Sequence, residues 1–95
     1  MRVIKLDANG WKVPLDFYEA LLAALEAPHW HGRGIGALID SMIYGSINGI
    51  EPPDRIWITG SAGIPADIKA EVDLAVHCIN EQQGVEKEIE FQIDP

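Results

Sequence analysis

Three segments of this chain carry the hydrophobic pattern of β-strands, and helix-patterned sequence separates each from the next. Val3-Ile4-Lys5-Leu6 and Arg55-Ile56-Trp57-Ile58-Thr59 are rich in β-branched and aliphatic residues, and Glu88-Ile89-Glu90-Phe91-Gln92-Ile93 alternates strictly between polar and apolar. No two of them are joined by the short turn of a hairpin. Strands that share a sheet without hairpins need crossover connections, and those make neighbours parallel. The sequence therefore predicts an α/β fold with a three-stranded parallel sheet. The uninterrupted apolar run Ile56-Trp57-Ile58 predicts the central strand, with Trp57 in the core. The alternating run Ile89–Ile93 predicts an edge strand with one face in water. Helices then pack on one side of the sheet only, in two layers.

The helical segments have clear stripes. Phe17, Leu21 and Leu25 recur every four residues with Tyr18 and Leu22 beside them, and Pro28 marks the end of this first helix. Asp16 followed by Glu19 resembles a capping box, which predicts a start at Asp16. Ile35, Leu38, Ile39, Met42 and Ile43 form the stripe of a second helix over 35–44, closed by Gly45. A third runs from Pro65 to Gly84, with Ile68, Val72, Ala75, Val76 and Ile79 inward. Residues 29–34 and 46–54 read as loops. There is no internal repeat or linker, so residues 1–95 are expected to be one domain.

Charge narrows the function classes. Fifteen acidic residues against seven basic ones give a net charge of −8. Nucleic-acid affinity rests on Lys and Arg at phosphates, so direct nucleic-acid binding is not expected. A basic protein partner suits the charge better. No apolar run reaches the ~18 residues of a membrane span, and a single cysteine leaves no internal disulfide. A cytoplasmic domain away from membranes, with no cofactor, is expected.

With the second helix's stripe turned inward, Asp40 lies roughly 130° away, at ~100° per residue. Gly36, Ala37, Ser41 and Tyr44 are expected on the same outer face. The loop before it carries His29, Trp30, His31 and Arg33. A carboxylate among small residues beside an aromatic is the pattern of an interface anchor. A solvated, idle helix face is the alternative. His29, His31 and Asp40 supply too few donors to enforce a zinc site, and an acid–base pair built from them needs a geometry that spacing does not provide. His77 is expected in solvent. Cys78 flanks the third stripe and reads as a buried, inert thiol. Trp11 packs under the sheet edge or lies on the surface. Gly32-Arg33-Gly34-Ile35-Gly36 lacks the Lys-Ser/Thr of a phosphate loop.

The run Pro28-His29-Trp30-His31-Gly32-Arg33-Gly34-Ile35-Gly36-Ala37-Leu38-Ile39-Asp40 resembles the central motif of the barstar family, small acidic inhibitors of secreted bacterial ribonucleases. Element order agrees over nearly the whole chain, and residues 28–40 carry the motif. The resemblance implies a barstar-like fold and a protein without catalytic activity. Its partner would be a basic nuclease toxin, first of all a ribonuclease, plugged by loop 28–34 and the helix 35–44. Asp40 matches the family's inhibitory aspartate, which takes a substrate phosphate's place. Trp30 matches the loop aromatic, with His31 beside it, and Gly32 and Ala37 match small contact residues. The partner-binding set so implied is Trp30, His31, Gly32, Arg33, Gly34, Gly36, Ala37, Asp40 and Tyr44. The chain departs from the family at Gly36, where the motif has an aspartate, and at Ile39, where it has an aromatic. Arg33-Gly34 replaces an acidic or amide pair. The connection after the motif is longer and holds Glu51 and Asp54. Glu81 is one option for an acidic contact on the third helix.

Overall fold

The computed structural model describes residues 1–45, 47–84 and 88–95. The elements are β1 (Arg2–Asp7), α1 (Pro14–Ala24), α2 (Ile35–Met42), β2 (Asp54–Thr59), α3 (Ala66–Gln83) and β3 (Ile89–Ile93), with a short 3-10 turn at Ser61–Gly63. The expected loop 46–54 begins at Ser46, outside the described residues, and β2 starts one residue earlier than predicted.

The sheet is parallel in the order β1-β2-β3, with β2 central. Register places Ile4 beside Ile56 and Ile56 beside Phe91, then Leu6 beside Ile58 and Ile58 beside Ile93. Because side chains alternate along a strand, these residues share one face. Ile4, Leu6, Ile56, Ile58 and Ile89 are buried there. The other face carries Val3, Lys5, Arg55 and Glu90 and is uncovered. Trp57 belongs to that open face and not to the core. It is half-buried, its indole N–H donates to Asp94 Oδ2 at 2.7 Å, and the Lys5 ammonium stands 5.1 Å from its ring centroid. Strand parity overrides the apolar run: Ile56 and Ile58 take the inner face, so Trp57 cannot.

The first and third helices bury most of the predicted stripes, Val76 only in part. Phe17, Tyr18, Leu21, Leu22 and Leu25 are buried from the first helical segment, and Ile68, Val72, Ala75 and Ile79 from α3, which packs against both α1 and α2. Burying a large aliphatic or aromatic side chain contributes about 1.5–3 kcal/mol. Trp11 packs on Phe17, ring centroids 5.8 Å apart. The Tyr18 hydroxyl donates to Glu71 Oε1 at 2.5 Å, tying α1 to α3. Burial, then the bond to Glu71, pushes its phenol well above the ordinary range.

Helix ends explain two differences from expectation. α1 starts at Pro14 and its N-cap is Val13. Asp16 sits one turn inside, where its Oδ2 accepts the backbone N–H groups of Lys12 (2.7 Å) and Val13 (3.2 Å). These two bonds hold its carboxyl below the usual value. At the other end Glu26 is left-handed, with φ 53°. Glu26 N–H donates to Ala23 O and Ala27 N–H to Leu22 O, which closes the helix three residues before Pro28.

The segment after α2 returns to that same helix end. Gly49 N–H donates to Glu26 O (2.9 Å) and Ile50 N–H to Leu25 O (3.0 Å). A Cβ on Gly49 would lie 2.8 Å from Glu26 Cβ and 3.3 Å from Glu26 O. Gly49→Ala is therefore expected to destabilise the fold by about 1–2 kcal/mol through overpacking. A urea titration checks this by a lowered midpoint with an unchanged slope. An unaltered midpoint would mean that the two segments part without loss.

Candidate functional site

Loop 28–34 leaves the end of α1, crosses one end of the helical layer and enters α2. His31 N–H donates to Pro28 O at 2.9 Å, which makes the turn. Gly34 is the extended N-cap of α2. Gly32 passes close over the helix: a Cβ there would meet Ala37 Cβ at 3.1 Å. The turn lifts Trp30 into solvent, 67% exposed.

His31 goes the other way. It was expected on the contact surface, but it is buried, with 7% of its surface accessible. Its Nδ1 lies 2.6 Å from Gly32 O, and its Nε2 is buried with no hydrogen-bond partner among the described residues. It forms the floor of the loop.

α2 is shorter than predicted, ending at Met42 with Ile43 as C-cap, so Tyr44 lies beyond the helix. Tyr44 is 72% exposed. Leu38, Ser41 and Met42 are the buried residues of α2, while Ile35, Ile39 and Ile43 pack only in part. Ser41 was expected outside. The helix is rolled so that this small residue faces the core, where its hydroxyl donates to Leu38 O at 3.4 Å. The roll carries Asp40 to about 150° from the centre of the buried face. Asp40 is exposed and has no hydrogen bond or ion pair among the described residues.

Trp30, His31, Gly32, Ala37, Asp40 and Ile47 line one shallow depression of about 220 Å3. The structure thus brings Trp30 and Asp40 to the rim of a common hollow. Gly34 caps α2 and Gly36 lies in its first turn, and a Cβ on either would meet nothing within 4 Å. Arg33 turns away toward α1, with its Nε 3.5 Å from Glu19 Oε1, both side chains about half exposed (54% and 52%). An exposed pair of this kind contributes little to stability, but it offsets the loop's one arginine and leaves Asp40 without a compensating cation among the described residues.

The other candidates separate from this surface. His77 is exposed, 3.3 Å from Glu81 Oε1 on its own helix. Cys78 is free and only half-buried. Among the described residues no three His, Cys, Asp or Glu side chains are placed to hold a metal ion, and no helix is long and apolar enough to cross a membrane. Sequence reasoning missed two features. Ile47 completes the hollow from a loop with no periodicity. Asp54 is fully buried with both carboxylate oxygens lacking a hydrogen-bond partner among the described residues, and its signal was available: at period two it shares a face with Ile56 and Ile58. Burial first, and Glu51 nearby, push its carboxyl above the usual value against the opposing pull of Arg2.

The chain matches no family model, and no curated protein matches it.

Proposed function

We propose that the protein is a barstar-like stoichiometric inhibitor of a basic nuclease toxin, a ribonuclease first of all, acting in the cytoplasm and performing no catalysis. Loop 28–34 and α2 enter the cationic cleft of the nuclease, and the Asp40 carboxylate stands where a substrate phosphate would.

The observation that carries this reading is the placement of Asp40. It is a solvent-exposed anion in the last turn of an eight-residue helix. A negative charge there opposes the helix dipole by about 0.3–1 kcal/mol, and no cation of this chain compensates it among the described residues. Its neighbours Gly36 and Ala37 are small, and the exposed Trp30 stands across the same hollow. An aromatic anchor beside an unpaired charge suits a partner cleft lined by Arg or Lys. The net charge of −8 favours encounter with such a partner and opposes binding to RNA itself.

The test is titration of small basic ribonucleases, the product of the adjacent gene among them, with RNA cleavage as the readout. Cleavage by the cognate enzyme should end at one equivalent. A Gly36 series then separates contact from folding. Gly36→Ala should raise stability by about 0.5–1 kcal/mol, because glycine is a poor helix residue. Gly36→Leu should fold equally well yet weaken inhibition at least tenfold, about 1.4 kcal/mol. Full inhibition by Gly36→Leu would move the contact surface off this face, and no inhibition of any nuclease would leave an interaction module without this activity.

A further inference from the structure

β3 ends the sheet on one side, and its outer edge is open. In a parallel ladder, alternate residues turn their N–H and C=O toward the same neighbour. Asp54 N–H donates to Glu88 O, and Asp94 N–H donates to Ile58 O. Glu88, Glu90, Gln92 and Asp94 therefore face β2, and Ile89, Phe91 and Ile93 face outward. Ile89 is already served. Its N–H donates to Gln83 Oε1 at 2.8 Å, and its C=O accepts Gln83 Nε2 at 3.0 Å. The Gln83 carboxamide does there what one residue of an adjoining strand would do. The outward groups of Phe91 and Ile93 have no partner among the described residues.

The two edges of the sheet differ in what they leave bare. On β1 the inward side chains Ile4 and Leu6 are buried, and α1 packs beside that strand. On β3 the cover runs out along the strand: Ile89 is buried, Phe91 is half-buried and Ile93 is 41% exposed. A groove of about 460 Å3 follows this edge, and its lining includes Glu90, Phe91 and Asn80 of α3. The opposite face of β3 is acidic. Arg55 offsets Glu90 at 3.1 Å, whereas Glu88 and Asp94 form no ion pair among the described residues.

We propose that the β3 edge accepts an added strand from a protein partner, an extended segment in which apolar residues alternate with lysine or arginine. Its apolar side chains continue the inner row beside Phe91 and Ile93. Its cations lie along Glu88, Glu90 and Asp94. Antiparallel pairing satisfies the outward N–H and C=O of both Phe91 and Ile93. A second copy of this chain suits the edge poorly. The antiparallel register that pairs Phe91 with Ile93 sets Glu90 of one copy against Asp94 of the other, and like charges directly opposite are destabilising. The net charge of −8 on each copy adds to the repulsion. This surface shares no residue with loop 28–34 or α2, so it stands apart from the inhibitor reading.

The probe is the acetylated and amidated pentapeptide Lys-Val-Lys-Ile-Lys. With the peptide at ten times its Kd, amide exchange at Phe91 and Ile93 should slow about tenfold. Gln92, already bonded to β2, should change little. Glutamate in place of every lysine should weaken binding at least tenfold. In antiparallel pairing the Val and Ile amides face β3, so methylating those two nitrogens should abolish binding. Methylating the backbone nitrogen of the central lysine should not. Ile93→Pro removes one outward N–H and leaves the bonds of Gln92 and Asp94 to β2 in place; it should weaken binding at least tenfold. Should that variant not fold, the methylated peptides decide. Four results overturn the proposal: no saturable binding, equal binding of the basic and acidic peptides, tolerance of methylation at Val and Ile, or Phe91 and Ile93 amides already protected by self-association of the protein alone.

Discussion

Asp40→Ala should weaken binding to the target nuclease by about 2–5 kcal/mol, roughly thirtyfold to several thousandfold, while the melting temperature holds or rises. The range is that of truncating one partner of a buried charge pair, complexes of the resembled family among them. The loss is large because the nuclease's cationic residues would stay desolvated in the complex with nothing opposite them. The fold loses nothing, because Asp40 makes no hydrogen bond or ion pair among the described residues and its charge opposes the dipole of α2. Alanine is also the better helix residue. Calorimetry against the nuclease, beside a thermal melt, reads both quantities. Binding retained within threefold would show that another group anchors the complex. A drop in melting temperature would make Asp40 structural.

The second large effect concerns stability and lies at the first residue of β2. Asp54→Asn should stabilise the protein by about 2 kcal/mol at pH 8, since a buried polar group without a partner costs about 1–3 kcal/mol and a charged one more. Asp54 is raised from the ordinary value of 3.8 in the fold. Below pH 3.8 the folded and unfolded chains both hold the proton and the residue costs little. As pH rises, the unfolded chain ionises first, so stability is lost until the folded carboxyl also ionises at its raised value. The difference between wild type and Asp54→Asn should therefore be small at pH 3.5 and widen with rising pH. Asp16 runs the opposite way, being lowered by the backbone bonds of Lys12 and Val13, and it is common to both proteins, so it cancels in the difference. Denaturant midpoints at five pH values between 3.5 and 8 suffice. A constant difference would mean that Asp54 is compensated.

Sheet order was legible in the sequence because it rests on connectivity: with helical sequence between every two strand segments, a parallel sheet was the available solution, and its most apolar strand went to the centre. Side-chain direction was less legible. Trp57 looked like core by composition, but its parity with Arg55 and Thr59 decides the matter. The five-residue stripe of α2 admitted more than one roll about its axis. The helix settles with Leu38, Ser41 and Met42 buried, Ser41 flanking Leu38 on the side away from Met42. Period fixes that a helix is amphipathic and leaves its azimuth to packing against α3. His31 could not be placed from sequence, since a loop has no repeat and a histidine between a tryptophan and a glycine suits either side. Asp40 was legible because being opposite a stripe survives a modest roll.

The backbone bonds from Gly49 to Glu26 and from Ile50 to Leu25 have an evolutionary corollary. They bring the two ends of the stretch from 26 to 49 together at its base, and that stretch contains Trp30, Gly36, Asp40 and Tyr44, the residues assigned to partner recognition. None of the three strands or the long C-terminal helix lies within it. Such a stretch is an exchangeable cassette. On the function proposed above, a lineage confronted with a new toxin would replace the insert between two fixed anchor points, by recombination or rapid local substitution, and inherit the sheet unchanged. Homologues are then expected to diverge between the anchors faster than outside them, and a chimera cut at Glu26 and Gly49 should carry its donor's target preference onto its recipient's scaffold.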